Sequence, residues 1–123
     1  MSGSAAVNVS RNYFQAWSGG DFEHAMTFID PNILCHTPAG PIQGAEAFHG
    51  FMGPFAGMVT DTSLLASFGD TDTAVLMYDT VTPLVEHAPG AEWHRVANGR
   101  VVEMRIIFDR LPFDLALRTV EQA

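Results

Sequence analysis

The chain of 123 residues carries 14 Asp and Glu against six Arg and no Lys, which gives a formal net charge of −8 at pH 7. Nucleic acids and anionic membrane surfaces are both recognised by basic faces, so this balance excludes both as expected partners. Hydrophobic residues make up 47% of the chain and charged residues 16%, which excludes intrinsic disorder and predicts one domain with a single core.

The cysteine and histidine content and the missing sequence motifs exclude further classes of protein. Cys35 is the only cysteine, which excludes an intrachain disulfide, and the five histidines lack the spacing of metal ligands. Because of this histidine spacing, no metal is expected. No glycine-rich phosphate loop is present either, so no cofactor is expected. The sequence has no run of 18 apolar residues, and we expect a cytoplasmic protein with one domain over residues 5–123 and a disordered N-terminus over residues 1–4.

The first half of the chain predicts three helices with one short strand among them. Apolar residues at helical spacing indicate a first helix that ends at Gly19-Gly20, and Asp21 is typical of the N-cap of a second. A strand is expected over Ile33–Thr37. A third helix follows Gly44, and Gly53-Pro54 should kink or break it.

The second half predicts four strands in succession and a terminal helix. The strand candidates are Ser63–Phe68, Ala74–Thr82, Glu92–Val96 and Val101–Asp109. Asn98-Gly99 is a hairpin signal between the last two strands, and a short helix is expected over Phe113–Glu121. Successive strands joined by short turns indicate an antiparallel sheet in an α+β domain.

Three stretches of the chain, in this order, resemble the nuclear transport factor 2-like superfamily. They are YFQAWSGGDF (residues 13–22), HTPAG (36–40) and GRVVEMRIIFD (99–109). The superfamily includes ketosteroid isomerase, limonene epoxide hydrolase and the SnoaL-like polyketide cyclases. The resemblance implies a cystatin-like conical barrel, in which a strongly curved antiparallel sheet wraps around N-terminal helices, but a shared fold does not imply a shared activity.

The resemblance to ketosteroid isomerase implies two site residues. That enzyme combines an Asp base with an oxyanion hole made of a Tyr and a neutral carboxylic acid. Tyr13 is similar in position to the Tyr, and Glu92 is similar to the neutral acid, with Glu in place of Asp. The position of the base is Thr37, which cannot take a proton from carbon at neutral pH.

The resemblance to limonene epoxide hydrolase implies a different set of site residues. It requires two acids bridged by an arginine. Asp79 is similar to one acid and Arg105 to the arginine, but the position of the second acid is occupied by Ile106.

The facing of Glu92 and His94 depends on the register of the last hairpin. A three-residue loop over Ala97–Gly99 with a glycine bulge places Glu92 beside Met104 on the inner face. A two-residue turn instead pairs Glu92 with Arg105 on the opposite face, because a slip of one residue reverses every side chain. We favour the bulged loop, which gives an inner face of Glu92, His94, Val102, Met104, Ile106 and Phe108.

Asp79 alternates with Met77 and Val81, so an inward Met77 places Asp79 in the pocket, and an outward one leaves it solvated. The hypothesis is that Asp79, Glu92 and His94, with Tyr13 opposite, form the polar end of an apolar pocket. His94 is the best candidate for the general base. The expected substrate-binding residues are Trp17, Phe51, Phe55, Met77, Val81, Met104, Ile106 and Phe108.

These features predict a cofactor-independent acid–base enzyme of the isomerase or cyclase type, acting on a small apolar carbonyl, enol or polyketide-like molecule. The alternatives are a non-catalytic small-molecule-binding module of the same fold and an epoxide hydrolase. A homodimer is expected through the outer face of the sheet, which should carry Trp93, Val101 and Ile107.

Overall fold

The computed structural model of the chain describes residues 5–122, so the prediction for residues 1–4 lies outside the described residues. The helices in this range are α1 (Ala5–Ser18), α2 (Phe22–Met26), α3 (Ala45–Met58) and α4 (Leu111–Gln122). The strands are β1 (Ile29–Thr37), β2 (Gly40–Gln43), β3 (Asp61–Gly69), β4 (Thr73–Val81), β5 (Ala88–Ala97) and β6 (Arg100–Phe108). Among residues 5–122, none of the helices has the length and apolar composition needed to cross a bilayer.

The six strands form one curved, unclosed sheet in the order β2-β1-β6-β5-β4-β3. Strands β3 to β6 pair antiparallel, as expected for strands that follow one another through short turns. The pair β1–β6 is parallel, which differs from the predicted fully antiparallel sheet, because β1 reaches its place beside β6 through no hairpin. The predicted α+β class with a curved sheet is confirmed.

Two local signals explain where the first helices begin and where α3 continues. The Asp21 side chain accepts a hydrogen bond from the backbone N–H of His24 at 3.0 Å, so it caps α2 as predicted. Of the predicted kink or break at Gly53-Pro54, the break does not occur, since α3 runs through Pro54 to Met58. Pro54 and Gly50 are exposed, so the carbonyl that loses its helical donor faces water.

The core lies between α1 and the concave face of the sheet. The large side chains there are buried and are contributed by α1, α3 and the inner positions of the strands: Tyr13, Phe14, Trp17, Ile33, Phe48, Leu76 and Met104. The aromatic rings of α1 contact each other, and the centroids of Phe14 and Trp17 lie 5.0 Å apart. This packing places one face of α1 over β3, β4 and β5.

The last hairpin has the two-residue turn and also a bulge. Asn98 and Gly99 have φ values of 54° and 76°, as in a type I′ turn. The register then shifts beyond Val96, where Val101 pairs with Val96 and Glu103 with Arg95, so β6 carries one extra residue. The shorter turn alone would place Glu92 on the outer face. The bulge moves the register by one further residue, so the side chains beyond it return to the inner face.

The pairs that result differ in detail from the favoured register. Glu92 lies opposite Ile106 and His94 opposite Met104, and all four side chains are buried. The predicted inner face is therefore correct for these four, although their partners are shifted by two residues. Val101, expected on the outer face, is fully buried, because the bulge turns it inward.

Candidate functional site

An apolar cavity of about 430 Å³ lies between α3, α4 and the inner face of the sheet. Its size falls in the range of small-molecule sites. Phenylalanines form much of the wall: Phe51, Phe55, Phe108 and Phe113. The polar side chains that line it are Tyr78, which is 3% exposed, and Arg110 and Asp114, which are more accessible.

Half of the predicted substrate-binding residues line this cavity. These are Phe51, Phe55, Ile106 and Phe108. Trp17 and Met104 are almost fully buried in the core and do not belong to the wall. The ring centroid of Trp17 lies 6.0 Å from that of Phe55, so Trp17 supports the wall from behind.

The expected inward orientation of the Met77 and Asp79 side chains on β4 is wrong. Met77 is 50% exposed and Asp79 is also exposed, on the convex outer face of the sheet. Val81, at the end of the strand, is half-buried and does not line the cavity. Both faces of β4 carry apolar residues, so alternation alone could not distinguish them; Tyr78 points inward where Asp79 was expected.

Four buried polar side chains, which we call the polar array, are joined by hydrogen bonds: Ser10, Tyr78, Glu92 and His94. The Tyr78 hydroxyl donates a hydrogen bond to Glu92 Oε2. Glu92 Oε1 lies 2.9 Å from His94 Nε2, and His94 Nδ1 lies 2.7 Å from Ser10 Oγ. Each member is 3% exposed or less, and Tyr78 alone belongs to the cavity wall.

The elements that hold the polar array follow from strand and helix geometry. Glu92 and His94 are two residues apart on β5 and therefore share its inner face. Tyr78 lies opposite Gly90 on the neighbouring strand. A Cβ at Gly90 would lie 2.9 Å from the Tyr78 ring, so the glycine allows the ring to lie against the backbone of β5 and reach Glu92.

Hydrogen-bond donors and acceptors favour one proton arrangement in the polar array. Among the described residues, the Ser10 hydroxyl has His94 Nδ1 as its partner, and a buried O–H left unpaired would cost about 1–3 kcal/mol. Ser10 therefore donates to Nδ1, and Nε2–H donates to Glu92. With Tyr78 also donating, both oxygens of Glu92 accept, which suits an ionised carboxylate, not the neutral acid that the resemblance implies.

Both buried tyrosines hold their protons strongly. Burial, the charge of Glu92 and the hydrogen bond to Glu92 raise the pKa of Tyr78 well above its usual value. Burial raises the pKa of Tyr13 in the same way, with smaller contributions from Glu92 and Cys35. Tyr78 is therefore a neutral phenol near pH 7 with a proton to donate.

Tyr13 lies beside the polar array without joining it. Its ring meets the His94 ring edge-on, with centroids 5.7 Å apart. The Tyr13 hydroxyl and the Trp17 indole N–H are buried and find no hydrogen-bond partner among the described residues. Tyr13 does not line the cavity, so its predicted contact with substrate would require a change in the cavity wall.

The two catalytic sets that the resemblance implies are not assembled. The Thr37 hydroxyl donates to the Gly40 carbonyl at 2.8 Å and accepts from the Ala39 N–H at 3.1 Å, so it serves a turn. Arg105 is exposed and pairs in register with Trp93, on the outer face that also carries Asp79. Within residues 5–122, no group of three or more His, Cys, Asp or Glu side chains is arranged to hold a metal ion.

Sequence reasoning missed Tyr78 and Ser10. A signal for Tyr78 was present, since a tyrosine opposite a glycine on the neighbouring strand can lie flat across it. Ser10 precedes Tyr13 by three residues and so shares its face of α1, which is the only indication the sequence offers.

Comparisons with known proteins agree with this fold. A profile of the SnoaL-like domain matches residues 10–104. A crystal structure of a Kribbella flavida protein is 46% identical, covers 98% of this chain and 99% of its own, and superposes with a TM-score of 0.94. No curated protein shows significant similarity.

More distant structures share the fold alone. A Xanthomonas campestris protein with a cystatin-like fold is 17% identical over 90% of this chain and 96% of its own, with a TM-score of 0.78. A second Kribbella flavida protein, provisionally assigned as a ketosteroid isomerase, is 14% identical over 87% and 79%, with a TM-score of 0.76. The profile match and the fold together show that the chain belongs to the SnoaL-like domain family of the nuclear transport factor 2-like superfamily.

Proposed function

We propose that the chain is a cofactor-independent acid–base enzyme of the isomerase or cyclase type, acting on a small apolar carbonyl, enol or polyketide-like molecule. The observation that carries the proposal is the position of Tyr78. Its side chain belongs to an apolar cavity wall and its hydroxyl donates to Glu92, which is itself bonded to His94. A ligand in the cavity therefore meets one proton-carrying group with a buried acid–base pair behind it.

The polar array supports proton transfer in both directions. A proton from a bound substrate passes to Tyr78 Oη while the proton of Tyr78 passes to Glu92 Oε2, and the reverse transfer returns a proton to the substrate. His94 stabilises the Glu92 carboxylate through its Nε2–H when the proton is absent. Positioned proton transfer of this kind contributes about 10²–10⁴-fold to a rate.

The base role moves from His94 to Glu92 in this proposal. His94 is fully buried and does not line the cavity, so a substrate proton reaches it only through Glu92. Glu92 is connected to the cavity directly by the Tyr78 hydroxyl.

A β,γ-unsaturated ketone such as cyclohex-3-en-1-one tests the proposal, since its isomerisation to the conjugated ketone is followed by ultraviolet absorbance. We expect the wild type to accelerate the reaction and Tyr78→Phe to lower kcat/KM by about 10²-fold or more. Asp79→Asn is the matched control, because it changes an exposed carboxylate on the outer face. Equal rates for wild type and Tyr78→Phe would contradict the proposal.

A non-catalytic binding module is the second candidate. It is favoured by the apolar wall and by the absence of a base at Thr37 and of a second acid at Ile106. A module would bind apolar ketones without accelerating their isomerisation, and Tyr78→Phe would then change affinity alone.

We also propose that the chain forms a homodimer through the outer face of the sheet. The outer face carries exposed apolar side chains on three strands: Phe68 (71%), Val75 (43%), Met77 (50%) and Ile107 (68%). Phe68 pairs with Val75, and Val75 with Trp93, so the apolar surface is continuous across β3, β4 and β5. A contiguous exposed surface of this kind on a small domain is typical of a subunit interface.

A further inference from the structure

The mouth of the cavity carries two charged side chains, Arg110 and Asp114, in a wall that is otherwise apolar apart from Tyr78. Arg110 is the second residue after the end of β6 and is exposed, and Asp114 lies in the first turn of α4 and is half-buried. Tyr78, which lines the same cavity, is almost fully buried, so its side chain lies deeper than the two charged side chains.

The guanidinium of Arg110 has no ion pair or hydrogen bond among the described residues. The acids next to it are otherwise engaged or apart: Asp109 accepts from the Leu111 N–H at 3.0 Å, and Asp114 is not within ion-pair distance of Arg110. Arg95, by contrast, lies 3.2 Å from Glu103 on the outer face. Arg110 therefore presents its donors at the cavity mouth.

A free arginine in this position is informative because of the overall charge. The chain carries a formal net charge of −8, so its overall field disfavours an anion unless a cation contacts that anion locally. A guanidinium matches the geometry of carboxylate, sulfonate and phosphate oxygens, which it binds with two parallel hydrogen bonds.

We propose that the cavity takes an amphipathic acid: an apolar body inside, with an anionic group against Arg110 at the mouth and a neutral oxygen beside Tyr78. The proposal rests on the proposed function in treating the cavity as a ligand site, and it narrows the substrate class to carbonyl or enol compounds that carry a carboxylate or an equivalent anion. Asp114 lines the same cavity, and its carboxylate would repel the anion that Arg110 attracts.

Two fluorescent probes separate the anionic contact from apolar binding. They are 8-anilinonaphthalene-1-sulfonate and N-phenyl-1-naphthylamine, which share the aromatic body and differ in the sulfonate. Ala88 lines the cavity, and Ala88→Phe fills it. The two probes occupy the cavity if each displaces the other and both bind more weakly to this variant. We expect Arg110→Gln to raise the Kd of the sulfonate probe about three- to tenfold and leave that of the neutral probe unchanged.

Arg118→Gln is the matched control, because it removes the same charge from an exposed position of α4 outside the cavity wall. It should change neither Kd, and Asp114→Asn should lower the Kd of the sulfonate probe. An equal effect of Arg110→Gln and Arg118→Gln, or none from either, would overturn the anion site while leaving the apolar cavity intact. Failure of the neutral probe to bind in the cavity would overturn the proposed function as well.

Discussion

The Ser10 hydroxyl is fully buried and lies 2.7 Å from His94 Nδ1, which fixes the proton of His94 on Nε2 if Ser10 donates. Ser10→Ala should lower the free energy of unfolding by about 1–3 kcal/mol, because Nδ1 is left buried without a donor. The ¹⁵N chemical shifts of His94 should show the Nε2–H form in the wild type and change in the variant.

Ser18→Ala is the control for this substitution, since Ser18 lies on the same helix, α1, and bonds weakly to a backbone carbonyl at 3.5 Å. It should leave the His94 shifts unchanged. A wild-type spectrum of the Nδ1–H form would show that the proton arrangement is the reverse.

Because of Cys35, the free energy of unfolding should depend on pH in the alkaline range. Burial, and to a lesser degree Glu92, raises the pKa of the Cys35 thiol from 9.0 to about 12. A raised folded pKa leaves stability unaffected below the unfolded value and reduces it as the pH rises beyond that value. From pH 7 to about pH 10.5, Cys35 should therefore cost about 2 kcal/mol of unfolding free energy.

Urea unfolding at both pH values measures this loss. Cys35→Ala should lose about 2 kcal/mol less than the wild type over the same interval, whatever its stability at pH 7. The buried tyrosines titrate in both proteins, so the difference isolates the thiol. Identical losses would mean that Cys35 is not desolvated.

The candidate site could be predicted from the sequence where one face of a strand is clearly apolar. Glu92 and His94 belong to the face of the hairpin that carries the buried Met104 and Ile106, and their inward orientation follows from that alternation. Asp79 could not be placed, because the outer face of β4 is also apolar. The hydrogen bonds of Ser10 and Tyr78 depend on how α1 lies across the sheet, which no local pattern encodes.

At the scale of elements, α4 closes the cavity through few contacts. Phe113 is its aromatic anchor, with ring centroids 6.2 Å from Phe55 and 5.9 Å from Phe108. Phe113→Ala should detach the helix and speed hydrogen exchange of its backbone amides about tenfold or more, while the amides of β5 keep their protection.

Leu115→Ala is the control, since Leu115 is 51% exposed on the same helix and lies outside the cavity wall. Exchange in α4 should change little in this variant. Unchanged exchange in Phe113→Ala would show that other contacts hold the helix.

Long periodic elements were predictable, whereas the short strand β2 was not. Helix α1, strand β4 and strand β6 follow from apolar spacing over nine or more residues. Strand β2 has four residues, of which the first two are Gly40 and Pro41, and its pairing with β1 depends on tertiary contact. The predicted bulge was placed wrongly, in the loop at Gly99, because nothing around Val102, where the extra residue of β6 lies, distinguishes a bulge from regular pairing.

At the scale of the whole molecule, the exposed apolar outer face predicts association. Ile107→Glu places a charge where 68% of the side chain is exposed, and it should convert the proposed dimer to a monomer. Light scattering during size-exclusion chromatography measures the change. Ala47→Glu, on the exposed side of α3, should leave the mass unchanged; a monomeric wild type would contradict the dimer.

The central claim is that the polar array moves protons on a ligand in the apolar cavity, and α-hydrogen exchange of an apolar ketone in D₂O tests it without requiring turnover to a product. NMR should show deuterium entering cyclohexanone faster with the wild type and with Asp79→Asn than in buffer. Glu92→Gln should lose about 10²-fold or more of that acceleration. Equal incorporation with Glu92→Gln and wild type, or none above buffer with either, would contradict the claim.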